Sequence, residues 1–291
     1  MIPAEVLAKI KRLEIKTKKL VAATMSGEYH SVFKGQGISF AEVREYRYGD
    51  DVRMIDWKVT ARTDKPHIKL FEEERELTVL LVVDLSSSGD FGSLDQTKLQ
   101  VAAELSAVLG FSAASNQDQV GLVLFTNEVE AYIPPKKGRE HILRILRDIF
   151  YFKPKKKGTN IAKALEFVNR IAKKKAIVFL ISDFLDHNYE QVLRVSARKH
   201  DLIPIVVQDP REKELPNVGR VLLNDSETGE EVMVNTSDPA FRSKYEQLMF
   251  SRKMELDRMF KVVRLQPIVL DTSESIQEPL LHYFRLRSSR F

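Results

Sequence analysis

The sequence predicts an α/β protein with a doubly wound, mostly parallel sheet, preceded by an N-terminal helix and a small β-rich or irregular extension. From Leu77 onward, short apolar runs alternate with segments whose apolar residues have helical spacing, which is typical of repeated strand–helix units. Before Leu77, glycines and aromatic residues break any such periodicity. We therefore expect an extension over residues 1–76 and an α/β domain over residues 77–291.

The first segment carries apolar or small side chains three or four positions apart, with Lys and Arg between them: Val6, Ile10, Leu13, Thr17 and Leu20. This spacing predicts an amphipathic helix. The helix either packs on its own protein, which we favour, or binds a membrane surface or a partner. The following residues 26–76 are rich in glycine and aromatic residues and predict short strands and ordered loops.

In the α/β domain, apolar runs predict parallel strands at residues 77–84, 120–126, 176–182, 202–208 and 262–270. A further strand at 129–133 is expected to pair antiparallel with its predecessor through a tight turn and to end at Pro134-Pro135. Helices are predicted at 94–116, 141–150, 161–172, 189–199 and 239–260, with a last one from about 275. A hairpin insertion near 215–236 is expected to pair residues 221–224 with residues 231–235.

Composition narrows the functional classes. The 291 residues include 43% hydrophobic residues, 30% charged residues and no cysteine, which excludes disulfides, zinc–cysteine sites and thiol catalysis. The start of the sequence lacks the apolar core of a secretory signal, and no apolar run approaches the roughly 20 residues that span a bilayer. We expect a cytoplasmic protein without a membrane span.

The net charge of +5 is mild, and the basic and acidic residues are intermixed. This balance does not favour nucleic acid as a partner. A basic run at Lys153–Lys157 keeps nucleic-acid binding as an alternative function.

Oxygen-bearing side chains follow the first apolar run. Asp84, Ser86 and Ser88 come directly after the predicted strand at residues 77–84, at the end where open parallel sheets bind ligands. One carboxylate and two hydroxyls are suitable ligands for Mg²⁺, which prefers oxygen and keeps coordination positions open. The same residue types also form turns and helix caps, so the motif alone is weak.

Two later residues strengthen this interpretation. Thr159 precedes a predicted helix, where it either caps the helix or presents its hydroxyl to a metal. Asp183 follows another apolar strand, and it could equally be a turn or cap residue. In a parallel sheet Asp84 and Asp183 leave at the same edge, so two carboxylates and several hydroxyls could surround one cation.

The order Asp-x-Ser-x-Ser, then Gly-Thr, then Asp resembles the metal-ion-dependent adhesion site of von Willebrand factor A domains. All five positions match: Asp84, Ser86, Ser88, Thr159 and Asp183. The resemblance implies a bound Mg²⁺ or Mn²⁺, with Ca²⁺ as an alternative, whose open position accepts an acidic side chain of a partner. Asp90 stands where this chain departs from many members, and it is either an auxiliary ligand or a solvated turn residue.

A longer motif lies upstream, and the residues that define it are Arg44, Tyr46, Gly49, Asp50, Arg53, Asp56, Trp57 and Arg62. It resembles the signature of a bacterial family called domain of unknown function 58, which has a von Willebrand A-like half. The resemblance implies an adaptor or co-chaperone that acts with a MoxR-type ATPase of the AAA+ class. The motif itself either pairs Arg with Asp to fix the structure, which we favour, or forms a partner-binding surface.

Common enzyme motifs are missing from the sequence. It contains no Gly-x-Ser-x-Gly elbow, no phosphate loop of the Gly-x-x-x-x-Gly-Lys-Ser/Thr type and no Gly-x-Gly-x-x-Gly fingerprint after the first strand. We therefore expect a non-catalytic, metal-dependent interaction module. A metal-dependent phosphoester hydrolase remains the catalytic alternative.

Overall fold

The computed structural model describes residues 10–17, 29, 32–33, 37–74, 77–90, 92, 96–224 and 231–289. These residues form two compact units. One unit contains the described residues up to Val32 and those from Thr78 onward, and the other runs from Phe33 to Leu77. The described part of the first helix therefore belongs to the larger unit.

The described part of that first helix, α1, covers residues 10–17. Its Ile10 and Thr17 side chains are buried, as expected for a helix that packs on its own protein. Glu14 is also buried and accepts a hydrogen bond of 2.6 Å from Arg139. The other predicted helix positions, Val6 and Leu20, lie outside the described residues.

The smaller unit consists of an antiparallel strand pair with a short helix between the strands. Strand β1 (Gly37–Glu45) pairs with β2 (His67–Glu74), and α2 (Trp57–Thr63) lies between them in the chain. A single 3-10 turn, Val52–Met54, precedes α2. Short strands and ordered loops are thus found where the sequence predicts them.

The larger unit is built on a six-stranded sheet. Its strands are β3 (Thr78–Asp84), β4 (Gln119–Phe125), β5 (Val129–Lys136), β6 (Ile177–Ser182), β7 (Asp201–Gln208) and β10 (Ile268–Asp271). Their order in the sheet is β10-β7-β6-β3-β4-β5. All neighbours are parallel except β4 and β5. Strands β4 and β5 extend the sheet on one side of β3, and β6, β7 and β10 extend it on the other. This order confirms the doubly wound class and places the topological switch point beside β3.

Helices cover both faces of this sheet. They are α3 (Lys98–Ser115), α4 (Arg139–Tyr151), α5 (Ile161–Ile171), α6 (Glu190–Lys199), α7 (Pro210–Lys213), α8 (Pro239–Val263) and α9 (Gln277–Ser288). On one face, residues of α5, α6 and α8 share a hydrophobic cluster with alternate residues of the central strands. The other face buries the intervening strand residues, because successive side chains of a strand point to opposite sides.

The central strands β3 and β6 explain why their sequences are continuously apolar. Every residue from Val79 to Val83 and from Ile177 to Ser182 is buried, as in a sheet covered on both faces. Burial of each such Val, Leu or Ile contributes roughly 1.5–3 kcal/mol. Consequently the carboxyl ends of these two strands are held in a rigid frame.

Two predicted boundaries were wrong. Pro134-Pro135 do not end a strand, since β5 continues to Lys136; β5 is an edge strand, where a missing N–H is tolerated. The predicted strand at 262–270 begins only at Ile268, because α8 extends to Val263 and ends at Arg264, which has a φ of 61°.

The predicted hairpin insertion is confirmed as β8 (Arg220–Asn224) paired antiparallel with β9 (Glu231–Asn235).

Among the described residues, none of the helices combines the length and apolar character needed to cross a membrane.

A buried histidine at the end of α6 makes the stability of the protein pH-dependent. Backbone N–H of Ala176 donates to Nδ1 of His200 at 3.3 Å, and burial lowers the pKa of His200 from 6.5 to about 4. As the pH falls from 6.5 to about 4, His200 therefore binds a proton in the unfolded chain but stays neutral in the folded chain. Folding stability is lost over this interval, by up to about 3 kcal/mol.

We expect His200→Gln to remove this component of the pH dependence, measured by urea unfolding at a series of pH values. The same replacement at exposed His282 should leave the wild-type pH dependence in place. An identical pH dependence in wild type and His200→Gln would contradict the assignment.

Candidate metal centre at the carboxyl end of the sheet

The two aspartates that follow central strands leave the sheet at the same edge. Strands β3 and β6 are parallel neighbours, with Val83 paired to Ile181. Asp84 and Asp183 therefore emerge side by side, as the sequence predicts. The Ser182 hydroxyl links the two strands by donating to Oδ2 of Asp84 at 2.7 Å.

The two serines of the motif lie in a tight turn directly after β3. Backbone N–H of Ser86 donates to Oδ1 of Asp84 at 2.8 Å, and Gly89 N–H donates to the carbonyl of Ser86 at 2.9 Å. This geometry brings the hydroxyls of Ser86 and Ser88 to 2.8 Å from each other. Both hydroxyls are thus held beside the Asp84 carboxylate.

Four of the five predicted ligands line one small cavity, which we call the acidic cavity. It has a volume of about 20 Å³ and is lined by Asp84, Ser86, Ser88, Asp183 and Lys98, together with Gly89, Leu99, Ala102, Ile181, Ser182 and Val207. A volume of this size accommodates a single water-sized species. The arrangement can therefore hold one small ion among oxygen atoms.

Negative charge is concentrated in the acidic cavity. Burial, together with the charge of nearby Asp183, raises the pKa of Asp84 to about 7. A carboxylate with a raised pKa is one whose charged form lacks sufficient compensation. A cation placed between Asp84 and Asp183 would supply that compensation.

One basic side chain lies among the described residues that line the acidic cavity. Lys98 donates to Oδ2 of Asp183 at 2.9 Å and also to Glu212. Burial favours a lower pKa for Lys98, but the attraction of the two carboxylates outweighs it and raises the pKa above 10.5. Lys98 is therefore an ammonium ion, and Asp84, Asp183 and Glu212 together exceed it in charge.

Glu212 belongs to the short helix α7 on the far side of this lysine. Backbone N–H of Asp209 donates to Oε2 of Glu212 at 3.0 Å, which fixes the carboxylate. Burial raises the pKa of Glu212 even though Lys98 opposes the change. Lys98 is thus held between the buried carboxylate of Asp183 and the partly buried carboxylate of Glu212.

The fifth predicted ligand, Thr159, is not among the residues that line the acidic cavity. Its loop lies at the end of β4, where Asn160 N–H donates to the Thr126 carbonyl at 2.9 Å. Asn160, and not Thr159, caps α5 by accepting from Lys163 N–H at 2.9 Å. A metal-binding role for Thr159 stays a prediction, and the side chain of Asp90 lies outside the described part of the chain.

Sequence reasoning missed three members of this site: Ser182, Lys98 and Glu212. The sequence does contain an indication for Ser182, which directly precedes Asp183 at a strand end. The indication for Lys98 is weaker: a basic residue in the first turn of a helix is unusual because it opposes the helix dipole. Glu212 is 114 residues from Lys98, and nothing local in the sequence marks it.

The donor set is compatible with Mg²⁺ or Mn²⁺, which bind hard oxygen ligands. No group of three or more His, Asp or Glu arranged to hold a metal occurs within the described ranges. An ion at the acidic cavity would therefore depend on two carboxylates, two serine hydroxyls and water.

The upstream motif forms a local structure in the smaller unit. Arg44 makes a bidentate contact with Asp50, at 2.8 Å for both pairs of atoms, and Arg47 N–H donates to Asp50 at 2.7 Å. The hydrogen bond from Arg44 lowers the pKa of Asp50. Gly49, whose φ of 104° suits glycine, completes the turn. These residues shape the loop that follows β1.

Other residues of the same motif cap helices or face outward. Asp56 caps α2 by accepting from Lys58 N–H at 3.0 Å. Trp57 is 70% exposed, and Tyr48 and Val52 are also exposed. Arg53 and Arg62 lie on the exposed surface as well. The motif thus combines a structural Arg–Asp pair with an exposed group of aromatic, apolar and basic side chains.

Comparison with known families agrees with this architecture and motif. The sequence profile of the family described as "Protein of unknown function DUF58" matches residues 42–255. The chain belongs to this family.

Its relatives include mycobacterial proteins that are described as uncharacterized. Mb1516 of Mycobacterium bovis and Rv1480 of Mycobacterium tuberculosis are each 32% identical over 257 residues, covering 87% of this chain and 81% of theirs. YeaD of Bacillus subtilis is 28% identical over 109 residues, covering 38% of this chain and 25% of YeaD.

Among solved structures, BatB from Bacteroides thetaiotaomicron is similar over 74% of this chain and 100% of its own, with 14% identity and a TM-score of 0.49. An aerotolerance-related membrane protein from Bacteroides fragilis gives a TM-score of 0.45 at 14% identity, with 74% of this chain and 100% of that chain covered.

The hydrogen bonds that the Ser182 hydroxyl makes within the site can be tested directly by mutation. It donates to Asp84 and accepts from the buried N–H of Phe184 at 3.0 Å. We expect Ser182→Ala to lower the free energy of unfolding by about 1–3 kcal/mol, because both partners lose a hydrogen bond in a buried setting. Exposed Ser237→Ala should change it by less than about 0.5 kcal/mol. Equal effects of the two variants in urea unfolding would contradict this geometry.

Proposed function

We propose that this protein is a non-catalytic, metal-dependent interaction module that acts as an adaptor or co-chaperone of a MoxR-type AAA+ ATPase in the bacterial cytoplasm. The observation that carries the proposal is the excess of buried negative charge at the acidic cavity, next to two serine hydroxyls. The resemblance to the von Willebrand A adhesion site and to the family signature supports the same function.

Asp84, Ser86, Ser88 and Asp183 would hold the ion, and Thr159 is its predicted fifth ligand. A bound Mg²⁺ or Mn²⁺ supplies a positive charge with an open coordination position. The serine hydroxyls are neutral ligands, so the ion keeps more of its positive charge than it would with carboxylates in their place. An Asp or Glu of the partner is therefore the group that such a site recognises.

A wide groove next to the acidic cavity supports the choice of a protein as the ligand. This lateral groove has a volume of about 1290 Å³, and Asp183 lines both it and the acidic cavity. Its apolar lining includes Tyr245, Met249, Phe250, Leu256 and Met259 from α8. Methionine-rich grooves adapt to apolar segments of partner proteins. A partner segment that combines an acidic side chain with apolar ones fits both features.

The serines are arranged as ligands. The hydroxyls of Ser86 and Ser88 lie 2.8 Å apart at the acidic cavity, which the carboxylates of Asp84 and Asp183 also line. Oxygen donors grouped in this way suit a divalent cation. The exposed side chains around Trp57 offer a second contact surface of the kind that is enriched at protein interfaces.

We expect Mg²⁺ to stabilise the folded protein. At about ten times its dissociation constant, an ion bound only by the folded state contributes about 1.4 kcal/mol, which corresponds to roughly 3 °C in Tm for a chain of this size. Thermal unfolding with Mg²⁺ or EDTA measures this shift.

Asp84→Asn should abolish the shift, because it removes a carboxylate ligand. Asp64→Asn, the same change at an exposed position of the smaller unit, should preserve it. The metal dependence is wrong if wild type shows no Mg²⁺-induced shift and no heat of binding by calorimetry.

We also expect the purified MoxR-type ATPase of the same organism to bind the full chain in Mg²⁺ and to be released by EDTA. Phe250→Ser, at a groove residue that is 64% exposed, should weaken this binding by about tenfold or more through loss of an aromatic contact.

Val262→Ser is the matched control, since Val262 lies on the same helix, is 55% exposed and does not line the lateral groove. Biolayer interferometry compares the two variants. Equal losses would exclude the groove as the contact surface, and no binding by wild type would exclude the ATPase as partner.

A further inference from the structure

Lys98 is a cation built into the edge of the acidic cavity. Its side chain is 4% exposed, and its amine lies 2.9 Å from Oδ2 of Asp183 and in contact with Glu212. It is the first residue of α3, directly after the Thr97 cap. A cation is unfavourable at that end of a helix, so the two carboxylates are what hold it there.

Asp183 is shared between this lysine and the candidate metal centre. One of its oxygens accepts from Lys98, and the other accepts from Leu185 N–H at 3.1 Å. An ion that uses Asp183 must therefore compete with Lys98 for the carboxylate or share it at close range with the ammonium. Two cations so near each other repel strongly in a buried setting.

Glu212 gives the lysine a second anchor. Its Oε2 is fixed by the N–H of Asp209 at 3.0 Å, while Oε1 contacts Lys98. Lys98 can therefore relinquish Asp183 and remain paired with Glu212, without its charge becoming uncompensated in the interior.

We infer that Lys98 competes with the divalent cation for Asp183. Lys98 pairs with both Asp183 and Glu212 when the cation is absent. When the cation is bound, Lys98 pairs with Glu212 alone. Lys98 thereby lowers the affinity of the centre, and Glu212 moderates that effect. This inference rests on the metal site of the proposed function, and it adds the residues that set the site's affinity.

The test is a Mn²⁺ titration of the full chain, followed by the electron paramagnetic resonance signal of free Mn²⁺. Lys98→Met should bind Mn²⁺ about tenfold more tightly or better, because the competing charge is gone. Glu212→Gln should bind it about threefold more weakly or worse, because Lys98 then has Asp183 as its one remaining anionic partner.

Lys213→Met is the matched control. Lys213 lies in α7 beside Glu212 but pairs with Asp271 at 2.7 Å, so its replacement removes an equal charge without freeing Asp183. It should change the affinity by less than about twofold.

Loss of Lys98 leaves the buried Asp183 and the partly buried Glu212 without their cation, which destabilises the fold. Lys98→Met/Glu212→Gln removes one charge of each sign and keeps the test valid if the single variant does not fold. The double variant should bind Mn²⁺ more tightly than Glu212→Gln.

Each outcome decides a separate claim. Binding by wild type with no gain in either variant that lacks Lys98 overturns the competition and leaves the metal site in place. Binding only when Lys98 is removed shows that Lys98 blocks the centre, and it overturns both the metal dependence of the wild type and the withdrawal of Lys98 to Glu212. No binding by wild type or by any variant overturns both the metal site and the competition.

Discussion

The structure depends on a concentration of negative charge that the central sheet places in a low-dielectric setting. Strands β3 and β6 are buried along their length, and their parallel register directs Asp84 and Asp183 to one point. Burial and the charge of Asp183 raise the pKa of Asp84, because both disfavour its ionised form. The Ser182 hydroxyl, the Ser86 N–H and the Lys98 ammonium each compensate part of this charge.

That compensation explains features that look unrelated in the sequence. The turn after β3 supplies an N–H and two hydroxyls, α3 supplies an ammonium, and α7 supplies a further carboxylate to hold the ammonium. The Asp209 side chain that caps α7 is itself buried and accepts from Thr272 at 2.7 Å. Elements distant in the chain are thus joined into one polar network, and such networks are costly when any member is unsatisfied.

Much of this architecture could be predicted from local sequence patterns. Continuous apolar runs identified the buried strands, and an aspartate at the end of each of two runs identified the shared edge, because parallel strands align their carboxyl ends. Local sequence patterns gave the wrong strand end where the position of the strand in the sheet decides whether proline is tolerated. Pro134-Pro135 are tolerated because β5 is an edge strand, and the sequence does not reveal which strand is at the edge.

Only those residues of the site that lie close together in the sequence could be predicted. Asp84, Ser86 and Ser88 share one turn, whereas Lys98 and Glu212 meet across 114 residues through tertiary packing. Asn160 took the capping role that Thr159 could have had, since either residue type caps a helix. The acidic groups alone suggested a simple metal site, and local sequence did not reveal that Lys98 pairs with one of its carboxylates.

The most direct measurement is a crystal structure of the protein grown with Mn²⁺, with an anomalous difference map calculated at the manganese edge. We expect a peak in the acidic cavity, contacted by the hydroxyls of Ser86 and Ser88 and close to Asp84, with Lys98 paired to Glu212 alone. A cavity that holds no anomalous peak at saturating Mn²⁺, with Lys98 still on Asp183, would contradict it.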